Sequence, residues 1–266
     1  MSGLLPHWPR HWRQLGRVWL ALPPQPVGII QFIGGNGLAA QPQWSYQRLL
    51  RAFETQGWGV LAWAYCLSLD HQQQADQAFL DLERVLRREP GLAGLPLLRV
   101  GHSLGCKLLL LAPDGGMGCG AAAMLAFNNY SAGRSIPLVN QLGPSLGFTV
   151  EFNPPPRRTM ELVAERYRQP HNLLVRFRDD AIDQSPRLHA QLKARSGDQS
   201  RLVVLPGKHT TPASAGLRQR LLGTAEDPKG RRIKRLAHQV LALGQGLVGS
   251  TPRVAGSSAS PDPHDP

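Results

Sequence analysis

Leu97-Leu98-Arg99-Val100-Gly101-His102-Ser103-Leu104-Gly105-Cys106-Lys107-Leu108-Leu109-Leu110-Leu111 is the stretch that decides the fold. A short run of strand character enters Gly-His-Ser-Leu-Gly, and a leucine-rich helical pattern follows at once. A serine between strand and helix sits in a sharp, strained turn, and glycines two residues to either side keep side chains out of the space that turn closes. The helix behind Ser103 directs its N-terminal partial positive charge to where an oxyanion would develop. G-x-S-x-G alone is a weak pattern, and the chain holds its own control, because Gly143-Pro144-Ser145-Leu146-Gly147 matches too. No strand leads into that second copy and no helix follows it, so Ser103 and not Ser145 reads as the nucleophile.

Outward from the elbow, strand and helix patterns alternate. Residues 17–22 read as a first strand, closed by Pro23-Pro24. Residues 27–33 form a continuous apolar run, the sign of a strand buried on both faces. Residues 44–55 and 72–88 are helical in pattern, with a strand over 58–65 between them. Beyond the elbow, strands are expected over 120–127, 172–177 and 200–205, with a helix over 158–168. This alternation predicts an α/β fold with a doubly wound, mostly parallel sheet. A single domain is expected over residues 1–248. Residues 129–170, rich in Pro and Gly, read as a lid insertion, and residues 249–266 as a disordered tail.

A serine hydroxyl needs a base, and the base needs a carboxylate to fix its tautomer. In folds with this elbow the chain order is Ser, then acid, then His. The strand over 172–177 ends in Arg178-Asp179-Asp180-Ala181-Ile182-Asp183, and the last strand runs into Pro206-Gly207-Lys208-His209. Ser103, Asp180 and His209 therefore stand in the right order, each beyond the carboxyl end of an expected strand, where ligand sites of open α/β sheets gather. Asp179 and Asp183 stay open as the acid, and the cluster is also suited to capping a helix near Ser185. His102 is expected to point away from these groups, and Asp70-His71 to stabilise its own loop. The oxyanion is expected to meet the backbone N–H of Leu104 and one from Gly34-Gly35-Asn36, with Gly35 the first choice.

Composition narrows the class. An apolar content of 42% with 18% charged residues is that of a globular protein. No apolar run approaches the roughly 18 residues of a membrane span, and residues 1–13 do not read as a secretory signal. Cys66, Cys106 and Cys119 lack metal-ligand spacing and read as reduced thiols of a cytoplasmic protein. No motif calls for a cofactor or a metal. The formal charge of +12 is spread along the chain, with one dense run, Lys229-Gly230-Arg231-Arg232-Ile233-Lys234-Arg235. That run lies in a helical pattern and reads as a solvated face rather than a nucleic-acid surface. An acidic membrane surface or an anionic substrate is the partner the charge suits better.

Taken with Phe32-Ile33-Gly34-Gly35, Phe127-Asn128-Asn129, residues 175–186 and Leu205-Pro206-Gly207-Lys208-His209-Thr210-Thr211-Pro212, the chain resembles the α/β-hydrolase superfamily over residues 17–212. More narrowly it is similar to an uncharacterised α/β-hydrolase-like family of oxygenic phototrophs and plastids. The resemblance implies a serine hydrolase of esters or thioesters with a small-molecule acyl substrate. It departs from many superfamily esterases at Ile33, where they carry a histidine. A non-catalytic binding or assembly protein that kept the fold is the alternative, because function lives in the site and not in the fold. Arg134, Arg157, Arg158, Arg166 and Arg168 lie in the same insertion as Leu138, Val139, Leu142, Leu146 and Phe148. The mixture suits an acyl chain with an anionic head, such as a lipid.

Overall fold

The computed structural model describes residues 12–135, 150–213 and 227–248. The second G-x-S-x-G copy with Ser145, the apolar residues Leu138 to Phe148, and the tail over 249–266 lie outside the described residues.

The uninterrupted apolar run near the start forms β3 (Gly28–Ile33), every residue of it buried. It lies between two parallel neighbours, β4 (Trp58–Trp63) and β5 (Leu97–His102). From β5 the sheet continues in parallel through β6 (Ala121–Leu125), β7 (Asn172–Phe177) and β8 (Arg201–Leu205). On the other edge β2 (Val18–Ala21) runs antiparallel to β4, and β1 (Arg13–Leu15) antiparallel to β2. Among the described residues this gives one eight-stranded sheet, ordered β1-β2-β4-β3-β5-β6-β7-β8. Sequence reading missed β1; it forms because Gly16, at φ 62°, turns the chain back on itself in a tight hairpin.

Alternate residues of each strand face opposite layers. Ile30, Phe32, Val60 and Val100 pack with Leu49 and Phe53 of α2 (Gln47–Glu54) and with Leu236 and Val240 of α8 (Pro228–Val248). On the other face Ile29, Ile33 and Leu61 meet α3 (His71–Arg88) and α4 (Leu104–Leu110). Further along that face Met124 and Leu174 meet α6 (Pro156–Arg166) and α7 (Ser185–Lys193). Each such side chain removed from water contributes roughly 1.5–3 kcal/mol, which offsets the entropy of ordering the chain.

One expectation is corrected here. The single helix expected over 44–55 is split into α1 (Pro42–Ser45) and α2, with Tyr46 between them at φ −119° and ψ 15°. The break turns the Tyr46 ring inward, where it is fully buried. Within the insertion, α5 (Ala132–Ser135) is short, and α6 is fastened to the flank of the sheet. The buried Lys107 of α4 donates to the carbonyl of Pro154 at 2.8 Å, and the side-chain amide of Asn129 donates to that of Pro156.

Strand order reverses between β3 and β5, and the crevice beyond their carboxyl ends is where open α/β sheets hold ligands. The loop Gly34-Gly35 leaves β3 there, and Ser103 ends β5.

Candidate active site

Ser103 has φ 55° and ψ −119°, a conformation that L-residues avoid. The flanking glycines make it attainable. A Cβ on Gly105 would stand 2.0 Å from the Ile33 carbonyl oxygen, and one on Gly101 2.8 Å from the Cys106 nitrogen. The Ser103 N–H donates to Leu125 of β6 at 2.9 Å, so the strained turn is tied to the neighbouring strand.

From this turn the Ser103 hydroxyl lies 3.0 Å from Nε2 of His209, and Nδ1 of His209 lies 2.7 Å from Oδ2 of Asp180. The structure thus brings these three sequence-selected residues into one hydrogen-bonded chain. The carboxylate side chain is 1% exposed and the imidazole 21% exposed. His209 is held by its turn: Gly207 sits at φ 142°, and Lys208 N–H donates to Thr211 Oγ1 while Thr211 N–H returns to the Lys208 carbonyl. The loops after β7 and β8 are joined by Asp179 N–H donating to the Gly207 carbonyl at 2.9 Å.

The acidic cluster divides its roles. Asp180 faces His209, whereas the Asp179 side chain is exposed. Asp183 accepts from both the N–H and the hydroxyl of Ser185, at 2.9 and 3.0 Å, in a turn that leads the chain into α7. Burial raises its carboxyl above the usual range. Asp70 caps α3 through Gln73 N–H and accepts from the Asn153 amide, the loop-stabilising role expected of it.

Leu104 opens α4, so its N–H precedes any intrahelical acceptor and lies beside Ser103. Gly35 departs from expectation. Its N–H donates to the Tyr46 hydroxyl at 2.7 Å and is therefore committed within the protein. Its contribution is steric: a Cβ there would stand 3.0 Å from Cβ of Ser103, so only glycine lets this loop press against the serine.

Sequence reasoning missed two groups. His102 does not point away; its Nε2 donates to the backbone carbonyl of His209 at 2.9 Å, and its Nδ1 lies 2.8 Å from the Tyr46 hydroxyl. Burial pushes its imidazole down to about 3, and the same burial raises the Tyr46 phenol. The second is Asn128, whose side-chain amide donates to Ser103 Oγ at 3.1 Å. It was visible only as part of Phe127-Asn128-Asn129, with no spacing rule to mark it.

Two of the five arginines expected to face an anionic head have carboxylate partners of their own. Arg157 pairs with Glu161, and Arg158 pairs with Glu161 and Glu165, on the outer face of α6. Among the described residues no three His, Cys, Asp or Glu side chains form a metal-ligand group, and no helix is long and apolar enough to cross a membrane.

A family model described as "Protein of unknown function (DUF1350)" matches residues 11–235. No curated protein matches the sequence. Among solved structures, carboxyl esterase 2 from the mycorrhizal fungus Tuber melanosporum is similar with a TM-score of 0.60 at 16% identity, over 85% of this chain and 81% of that one. Est1E from Butyrivibrio proteoclasticus is similar with a TM-score of 0.53 at 15% identity, over 85% and 94%. The thioesterase domain from the curacin biosynthetic pathway gives 0.50 at 14% identity, over 86% and 97%. At these identities the likeness shows an α/β-hydrolase fold.

Proposed function

We propose that this chain, which belongs to the DUF1350 family, is a serine hydrolase that cleaves an ester or thioester. One observation carries the reading: the unbroken hydrogen-bonded chain from Ser103 Oγ through His209 to Asp180. Structural neighbours named as esterases and a thioesterase support the reaction class. Ser103 attacks the acyl carbonyl, giving its proton to His209 Nε2. Asp180 holds Nδ1–H and stabilises the imidazolium that forms. The N–H of Leu104, at the positive end of α4, receives the oxyanion. His209 then protonates the leaving group, and water repeats the sequence on the acyl-enzyme. We assign the insertion over 129–170 to covering the acyl chain. Recognition of an anionic head by Arg157 and Arg158 has no support in their pairing with Glu161 and Glu165. The three unpaired cysteines support a reducing, cytoplasmic setting.

A fluorophosphonate probe followed by peptide mapping tests this reading. Label on Ser103, lost in His209→Ala, supports it. Folded protein that takes no label, or takes it at Ser145, overturns it in favour of a binding protein on the same fold.

A further inference from the structure

We propose that Asn128 is a further catalytic residue, a second polar partner of Ser103 Oγ that stabilises this oxygen whenever it carries charge. The proposal rests on the hydrolase reading above. Its starting point is hydrogen-bond arithmetic. His209 donates its Nδ1 hydrogen to Asp180, so Nε2 is an acceptor and the one hydroxyl hydrogen of Ser103 goes to it. That leaves the lone pairs of Oγ, and the Asn128 amide donates to one of them at 3.1 Å.

The backbone shows that this contact is built. Among the described residues two non-glycine residues have positive φ: Ser103 at 55° and Ala126 at 52°. They end the paired strands β5 and β6, where His102 lies opposite Leu125. Each such residue is strained and persists only where its surroundings hold it. Ser103 is held by its N–H bond to the Leu125 carbonyl, and Ala126 by its own N–H bond to Val175. Ala126 is fully buried in the core. Beyond it, the Phe127 carbonyl accepts from Gln184 N–H at 2.7 Å, and Asn129 N–H donates to Gln184 Oε1 at 2.8 Å. Asn128 is thus clamped on both sides, and the two strained turns aim the hydroxyl and the amide at one another.

The chemistry follows from that placement. As Oγ passes its proton to His209 Nε2 and forms its bond to the acyl carbon, the carbonyl electron pair moves to the carbonyl oxygen. During this transfer negative charge passes through Oγ, and the Asn128 N–H faces it. When the acyl-enzyme is hydrolysed, the C–Oγ bond breaks, its electron pair returns to Oγ, and His209 restores the proton. The same N–H then stabilises the departing oxygen. Removing one preorganised donor of this kind costs about 10²–10³ in rate.

The test uses full-length Asn128→Ala and Asn128→Asp, with the fluorophosphonate labelling rate and kcat and KM for p-nitrophenyl butyrate as readouts. Asn128→Ala is expected to slow labelling and kcat by about 10²-fold with KM little changed. Asn128→Asp keeps the shape but sets a carboxylate against Oγ, so it is expected to fall below the alanine variant. A spacer role gives the reverse order, because the isosteric side chain would preserve packing; that order overturns the proposal, as does a wild-type rate in either variant. Should Asn128→Ala fail to fold, folded Asn128→Asp decides alone: lost labelling supports the role and wild-type labelling overturns it. Wild-type protein that takes no label overturns the hydrolase reading itself, a result distinct from normal wild-type labelling with unaffected variants.

Discussion

His102 donates from Nε2 to the backbone carbonyl of His209 across 2.9 Å, so the residue before the serine holds the main chain of the imidazole that meets the serine. The direction of every bond in this chain is fixed. A carbonyl only accepts, so Nε2 carries the hydrogen and Nδ1 accepts from the Tyr46 hydroxyl. The Tyr46 oxygen in turn accepts the N–H of Gly35. One relay, Gly35–Tyr46–His102–His209, thereby joins the loop after β3 to the loop after β8. It requires a neutral His102, and burial supplies one by pushing the imidazole down to about 3.

Tyr46→Phe tests the relay. Phenylalanine keeps the ring and its edge-on packing against Phe32, but leaves Gly35 N–H and His102 Nδ1 buried without their partner. The expected cost is about 1–3 kcal/mol of stability, with a fall in kcat and little change in KM as His209 loses its fixed position. Thermal unfolding and p-nitrophenyl butyrate kinetics read both quantities. An unchanged melting temperature would remove the relay from the account.

The glycines should separate folding from chemistry. At Gly105 a methyl group meets the Ile33 carbonyl at 2.0 Å and the Gly34 carbonyl at 2.7 Å, both backbone, so Gly105→Ala is expected to prevent stable folding. At Gly35 the nearest atom is Cβ of Ser103 at 3.0 Å. Gly35→Ala is therefore expected to fold and to label with fluorophosphonate roughly tenfold more slowly, because small misplacements of reacting groups are costly. Circular dichroism and labelling rates distinguish the two, and the opposite ranking would mean that the loop after β3 does not press on the serine.

The acidic trio divides in the same way. Asp180→Asn is expected to lower kcat by about 10⁴-fold while the protein stays folded, since the amide favours the wrong imidazole tautomer. Asp183→Ala is expected to cost about 1 kcal/mol through the two hydrogen bonds lost at the entry to α7 and to retain activity. Asp179→Asn should change neither. Kinetics and urea denaturation of the three variants side by side decide which carboxylate serves His209.

Most of the sheet, and the candidate trio Ser103, His209 and Asp180, was legible because each rests on a local rule. The strand-turn-helix context marked Ser103, and chain order with strand ends selected Asp180 and His209. What was not legible depends on contacts between distant segments. Tyr46 lies in a helical pattern, yet the helix breaks there and its hydroxyl meets Gly35 and His102, 11 and 56 residues away. Arg99 sits inside an apolar strand because Asp114 receives its guanidinium and Phe79 covers it. Gly35 was named as an oxyanion donor, but the motif locates only the backbone, and a tertiary partner, the Tyr46 hydroxyl, takes its hydrogen.

Acid sensitivity is the last expectation. His71 is buried, stacked on Phe152 at 4.2 Å, and neither ring nitrogen has a hydrogen-bond partner among the described residues. Burial, reinforced by the nearby Lys107 charge and opposed by Asp70, lowers its imidazole to about 3. His102 is lowered as far. Above pH 6.5 both rings are neutral whether the chain is folded or not, so neither affects stability. As pH falls from 6.5 towards 3 the unfolded chain takes up protons that the folded one refuses, and stability is lost at about 1.4 kcal/mol per pH unit for each group. His71→Phe keeps the stack on Phe152 and removes one of the two protons, so it is expected to flatten the loss by about 1.4 kcal/mol per unit between roughly pH 5.5 and 4. Urea midpoints of wild type and variant across that range measure the effect, and their difference isolates His71 from carboxylates titrating nearby. Parallel curves would show that His71 gains its proton without unfolding the protein.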